Sequence, residues 1–186
     1  MLGPGRITLL RTQAGPLAGD HDRVEIHAAA DLTIEPVAAT VALPGPRRTV
    51  LELDVTVGEN ARLILEDAPL VVAEGADVLR TTTIRLAPGA VAIMRDIVIL
   101  GRAGEGPGRL ESLLRCDGIL HDALRVDPAT WAEDAYVALA PGHRAIATVA
   151  ELGVPGNLDG PGSLWRFSAT SAAACHAWLR RDREGV

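Results

Sequence analysis

Two periodicities alternate along this chain of 186 residues, and the shorter one dominates. From Val50 to Val57 apolar and polar residues change places at every step. Leu51, Leu53, Val55 and Val57 share one face and Glu52, Asp54 and Thr56 the other, the signature of a half-buried strand. Val24-Glu25-Ile26-His27-Ala28 alternates in the same way. From Val91 to Leu100 both faces are apolar and β-branched residues prevail, which predicts an interior strand. Shorter runs predict further strands at Arg6 to Arg11, over Leu32 to Val41 with an interruption at Pro36, and at Arg62 to Glu66, Leu110 to Arg115, Ile119 to Val126 and Ala145 to Leu152, with Ala135 to Leu139 as the last one's hairpin mate. Pro36 donates no amide proton, so it belongs at an edge or a bulge. The helical period is reserved for the end. From Ser168 the alanine-rich run predicts one C-terminal helix with Ser171, Ala174, Cys175 and Trp178 on one face and arginines in its last turns.

Turn chemistry separates these runs. Ala87-Pro88-Gly89-Ala90 has the composition of a type II turn and reads as a hairpin tip, and Asp117-Gly118 is a hairpin signal of its own. VGENAR, AEGADV and APGAVA each set a glycine just ahead of an alanine and a new strand. Their glycines, Gly58, Gly75 and Gly89, keep no fixed spacing, which predicts stacked hairpins or coils of strand without a regular repeat. GRAGEGPG, Gly101 to Gly108, and GVPGNLDGPG, Gly153 to Gly162, read as mobile loops. The fold class is therefore mainly β: many short strands in stacked hairpins or coiled β layers, closed by one helix, in a single domain over residues 1–186.

Composition sharpens this. A hydrophobic content of 48% at this length is enough for one core, and 19 Gly and 12 Pro suit short segments joined by tight turns. All 18 basic residues are arginine, so a Walker A loop, a pyridoxal phosphate Schiff base and any lysine nucleophile are excluded. A net charge of -6 without a basic stripe argues against nucleic acid. No apolar run is long enough to span a membrane and the N-terminus lacks a signal peptide's apolar core, so a cytoplasmic protein is expected. Cys116 and Cys175 are far apart and outside CxxC spacing, which leaves two buried thiols as the expectation.

The candidate chemistry is sparse. Cys116 and His121 share a face of their hairpin if its turn has two residues, but two ligands do not make a zinc site. Cys175 and His176, adjacent on a helix, do not face one ion together. A cupin-like β-sandwich that binds or turns over a small molecule is the alternative reading, and it lacks the clustered histidines and carboxylate that its metal centre needs, His21 and His27 included. No serine lies in a Gly-x-Ser-x-Gly elbow, so no enzyme is expected. The unusual feature is Arg95-Asp96 in the middle of the most apolar strand, where an unpaired charge costs several kcal/mol. Each must meet a partner from a neighbouring strand, or both line a polar passage.

In order along the chain, GPLAGD with Arg23-Val24-Glu25-Ile26, Glu35-Pro36-Val37-Ala38-Ala39-Thr40, LILEDAPLVV, LAPGAVAIMRDIVILGRAGEG and RLESLLRCDGILHDALRVDP resemble the urease accessory protein UreD (UreH) family. The likeness runs from about Gly15 to Pro128, with departures at Pro16 and at Glu66-Asp67-Ala68-Pro69. It implies a β-rich scaffold without catalysis of its own that joins UreF and the GTPase UreG to apo-urease while nickel is delivered. It implies no tightly bound cofactor, only nickel in transit. A metal that is passed on must be held weakly, which favours carboxylates over imidazole and thiolate. Glu66, Asp67, Asp96 and Glu105, acids in or beside apolar strands, are the expected route, and the loop carrying Gly101, Arg102 and Glu105 is a candidate contact for a partner.

Overall fold

The computed structural model describes residues 5–10, 15–131, 142–156 and 161–184, with 182–184 as backbone. The described chain forms thirteen strands and one long helix: β1 Gly5–Leu9, β2 His21–Ala28, β3 Leu32–Pro36, β4 Thr40–Ala42, β5 Thr49–Val57, β6 Arg62–Glu66, β7 Leu70–Val72, β8 Asp77–Leu86, β9 Val91–Leu100, β10 Arg109–Cys116, β11 Leu120–Val126, β12 Ala145–Leu152, β13 Gly162–Ala169 and α1 Ala172–Glu184. They lie in two facing sheets. The first runs β1-β3-β6-β9-β12-β13, with β4 and β7 continuing beside β9, and the second runs β11-β10-β8-β5-β2.

Most rungs are parallel. The chain passes from one sheet to the other and back, so that β2, β5, β8 and β10 stack in one layer while β1, β3, β6 and β9 stack in the other. This is a stack of coils. The turn at Ala87 to Ala90 has the predicted type II chemistry, with Gly89 at φ 70° and the Ala90 amide donating to the Ala87 carbonyl over 3.0 Å. It is not a hairpin tip: β8 and β9, which it joins, belong to different sheets. Asp117-Gly118 does make a hairpin between β10 and β11.

β9 is the interior strand that its two apolar faces predict, with neighbours β6, β7 and β12. Its even-numbered side chains face the second sheet and its odd-numbered ones face away. Between the sheets lie two apolar cores, one around Leu63, Val55, Ile84, Met94 and Leu152, the other around Val72, Val78, Leu100, Leu110 and Ile146. Outside the first sheet, α1 covers Ile97, Ala147 and Val149 with Cys175, Trp178 and Leu179. Burying such side chains is worth roughly 1.5–3 kcal/mol each, so α1 belongs to the core.

Several expectations need correction. The helix begins at Ala172, not at Ser168, because Ser168 and Ala169 finish β13, a strand the sequence reading did not assign. Ser171 stands just ahead of the helix, where its Oγ accepts from the Ala174 amide at 3.4 Å, and Ala174 is exposed while Leu179 is buried. β12 pairs with β13 and β9, and its expected hairpin mate, 135–139, lies outside the described residues. The hairpin turn after Cys116 has three residues: Cys116 stands opposite Leu120 and His121 opposite Arg115. One is buried and the other exposed, so they face opposite sides of the sheet. Pro36 sits at the end of β3, past the last rung to β6.

Candidate functional site

A single level across the sandwich is polar where the levels on either side are apolar. In the second sheet the register sets Asp22 beside Leu51, Leu51 beside Arg80, Arg80 beside Ser112 and Ser112 beside Leu124. In the first sheet Thr148 stands between Asp96 and Arg166, and Asp67 continues the row past β6, its amide donating to the Arg95 carbonyl at 2.8 Å. This layer separates the two apolar cores. It exists because polar residues occupy the inward parity of otherwise apolar strands: Arg80 between Val78 and Ile84, Asp96 between Met94 and Val98, and Ser112 between Leu110 and Leu114.

Its centre is Arg80. The Nη1 donates to Asp96 Oδ1 at 2.8 Å, Nη2 to Asp96 Oδ2 at 2.5 Å, and Nε to Ser112 Oγ at 3.0 Å. Asp67 Oδ2 lies 3.7 Å from Nη1. Arg80 is 8% exposed and Asp96 4%. Burial works against the guanidinium charge, but the Asp96 carboxylate outweighs it and Arg80 is held more firmly protonated than a free arginine. Asp67 goes the other way. Burial first, and then the Asp96 charge, push its carboxyl up to about 6, against the smaller pull of Arg80 and of the Ala68 amide.

On one side of Arg80 lies a cavity of about 990 Å³ between β2, β5 and β8 of one sheet and β3, β4, β6 and β7 of the other, with Asp22, Asp67 and Thr82 in its wall. On the other side a void of about 20 Å³ touches Asp96, Asp122, Thr148 and Arg166. Arg80 and Thr82 line both. Beyond the void the sheets are clamped together: Arg166 on β13 reaches across to Asp122 on β11 with both terminal nitrogens, Nη1 to Oδ1 at 3.1 Å. The layer thus runs from an open acidic cavity, through a bidentate ion pair, to a closed one.

The four acids expected to form a route fall in three places. Asp67 and Asp96 meet around Arg80. Glu66 points to the opposite face of the first sheet, where its rung neighbour is Arg95, 3.6 Å away. Of the adjacent pair in β9, therefore, Arg95 finds its partner on the next strand and Asp96 on the facing sheet. Glu105 sits in the loop after β9, which its glycines predict to be mobile and which hydrogen bonds tether at several points. Its carboxylate accepts from Arg102 Nε at 2.7 Å and from the amides of Arg102 and Glu74, and Glu74 accepts from the Gly106 amide at 3.2 Å. The Arg102 side chain, and then its amide, lower the Glu105 carboxyl to about 2. At Gly101, φ is 78° and a Cβ would stand 2.2 Å from the Gly106 carbonyl oxygen, so the loop closes only with glycine there.

The sequence reading missed Arg80, Ser112, Asp22, Asp122 and Arg166. A signal for most of them was present: a polar residue on the buried parity of an alternating strand. Among the described residues no group of three His, Cys, Asp or Glu is gathered to hold a metal, and His21 is exposed on the outer face with Glu52 at 3.0 Å. The parallel rungs are also unlike the antiparallel double sheet of a cupin.

Fold and site together define a two-layered coil of β-strands with a charged layer through its interior. Its family is recognisable: residues 3–182 match the model of the UreD urease accessory protein, and the chain belongs to that family. It is 43% identical over 150 residues to a Streptomyces coelicolor protein named urease accessory protein UreD, an alignment that covers 76% of this chain and 59% of the relative. It is also 34% identical over 192 positions to urease accessory protein UreD 1 of Streptomyces griseus, covering 94% and 74%, and 42% identical over 115 residues to a UreD of Frankia alni, covering 60% and 39%. The chain spans about three fifths of the length of the S. coelicolor relative.

Proposed function

We propose that this chain is a non-enzymatic scaffold of urease maturation, joining UreF and the GTPase UreG to apo-urease, and that nickel in transit passes along its interior polar layer. Membership of the UreD family supports the maturation role. The observation that carries the route is the charge count at Arg80: one guanidinium faces two carboxylates, Asp96 holds it bidentately, and Asp67 is left on the cavity side at 3.7 Å. A carboxylate short of cation, with Asp22 and Thr82 in the same cavity wall, attracts a divalent ion and holds it loosely. The route narrows to Asp67 and Asp96. Glu66 is engaged outside the sheet and Glu105 staples a loop, whose exposed Arg102 remains the surface proposed to meet a partner. With no lysine for a P-loop, any GTP hydrolysis in the process belongs to another chain.

The test is urease activation with Asp67→Asn, which keeps the shape and the acceptor for the Ala68 amide. Nickel incorporated into urease should fall while the complex with UreF still assembles. Full incorporation with an intact complex would exclude Asp67 as part of a route; a lost complex would assign the residue to the interface instead.

A further inference from the structure

The free edge of β2 carries information that the maturation role does not use. Among the described residues β2 is the last strand of the second sheet, eight residues long, and its rungs to β5 run unbroken from His21–Val50 to Ala28–Val57. Of the devices that blunt an edge it lacks proline, glycine, lysine and a bulge, and its one inward charge, Asp22, stands near the start of the strand. The direction of its backbone groups is fixed. The Val50 amide donates to the Asp20 carbonyl at 2.9 Å and the Gly58 amide to the Ala28 carbonyl at 2.8 Å. Even-numbered residues therefore point their amides and carbonyls at β5, and His21, Arg23, Glu25 and His27 point theirs outward.

We infer that β2 is a self-pairing edge: a second copy of this chain adds its own β2 antiparallel, about a dyad through Val24. Parity and charge together select this register. Any dyad centred on a residue opposes outward-pointing groups; about Val24, Arg23 and the partner's Glu25 exchange both backbone hydrogen bonds, as do His21 and the partner's His27. A dyad on Arg23 or Glu25 instead sets like charges opposite one another, and a shift of one residue puts the inward face of one copy against the outward face of the other. The dyad on Val24 alone pairs Arg23 with the partner's Glu25 on the outer face, twice by symmetry. Both side chains are over half exposed, and they already attract each other within one copy at 3.0 Å. Val24, 42% exposed, meets the partner's Val24 on the inner face. An isologous contact of this kind closes on two copies.

Sedimentation velocity of the full chain over a range of concentrations tests this. The wild-type chain should dimerise. Arg23→Glu should weaken the dimer at least tenfold, and combining Arg23→Glu with Glu25→Arg should restore it, since the swap preserves both opposite-charge rungs between the copies. A symmetric cross-link gives a second reading. Opposed residues of a narrow antiparallel pair have Cα atoms about 4.5 Å apart, within disulfide range. Val24→Cys should therefore form an intermolecular disulfide on mild oxidation, and Val37→Cys, more exposed still but off this edge, should not. A wild-type chain that stays monomeric at every concentration overturns the inference. So does a dimer indifferent to Arg23→Glu, a charge swap no better than the single change, or a co-purifying protein or longer form of the chain that blocks the Val24→Cys cross-link.

Discussion

The two sides of this sandwich use the same layer of polar residues to opposite ends. On the β11 and β13 side, Arg166 and Asp122 bridge the sheets and leave a void of only about 20 Å³. On the β1 and β2 side, the layer offers Asp22 and Asp67 with Arg80 already committed to Asp96, and the sheets stand apart around a cavity of about 990 Å³. Its mouth exposes Leu9, Leu10 and Val24. The sheets are thus bridged by complementary pairs, Arg166 with Asp122 and Arg80 with Asp96, and the cavity opens beyond the second. Apolar burial alone does not set their spacing.

Breaking the centre of the layer should have the largest effect. Asp96→Ala leaves the buried Arg80 guanidinium without its bidentate partner, and the loss from a broken buried pair is about 3–5 kcal/mol. Urea denaturation should show a lower midpoint with an unchanged slope; a loss below 1 kcal/mol would mean that Asp67 or water takes over the pair. The open side should respond next, and with the opposite sign. The Asp67 carboxyl titrates near 6 in the folded protein and about 4 when unfolded. Between those values the folded state binds the extra proton, so stability falls as pH rises from about 4 to about 6 and stays lower above. Asp67→Asn removes that dependence. It should be more stable than wild type at pH 7.5, on the order of 2 kcal/mol, with the gain gone near pH 4. Identical unfolding curves for the two at both pH values would show that Asp67 is solvated like an ordinary carboxyl. Arg166→Ala, on the closed side, should cost about 1 kcal/mol because the pair is partly wet. Its more telling readout is faster hydrogen exchange in β11 and β13 with β9 unaffected. Uniform exchange would mean that the clamp does not hold the sheets at that side.

Strand content was legible wherever side chains alternated or both faces were apolar, as in β5 and β9, because that pattern reports burial directly. Topology was less so. Ala87-Pro88-Gly89-Ala90 and Asp117-Gly118 are both good turns, yet one turns a corner between sheets and the other makes a hairpin. Local turn chemistry sets φ and ψ, and the partner ladder decides where the chain goes next. β13 was hidden because GSLWRFSA puts a single large apolar residue on its inward face, Leu164, with Trp165 and Phe167 outward, and mixes serine and arginine between them. The site was half legible: Arg95-Asp96 announces buried charge from its own strand, but Asp67, Arg80 and Ser112 join it only through rungs and a sheet-to-sheet contact. The tethers of the Gly101 loop come from Glu74, an acid of an earlier coil that no local pattern ties to it.

The parallel coils also fix how this protein must be made. Ile34 pairs with Leu65 and Leu65 with Met94, so a typical rung joins residues from successive circuits of the sandwich. No circuit completes a rung until the next has been synthesised, and each carries an unpaired edge until then. Folding dominated by such distant pairings is slow, in the range of milliseconds to seconds. A nascent chain therefore presents a sequence of sticky intermediate edges on the ribosome, and its yield in a cell depends on how quickly each edge is covered.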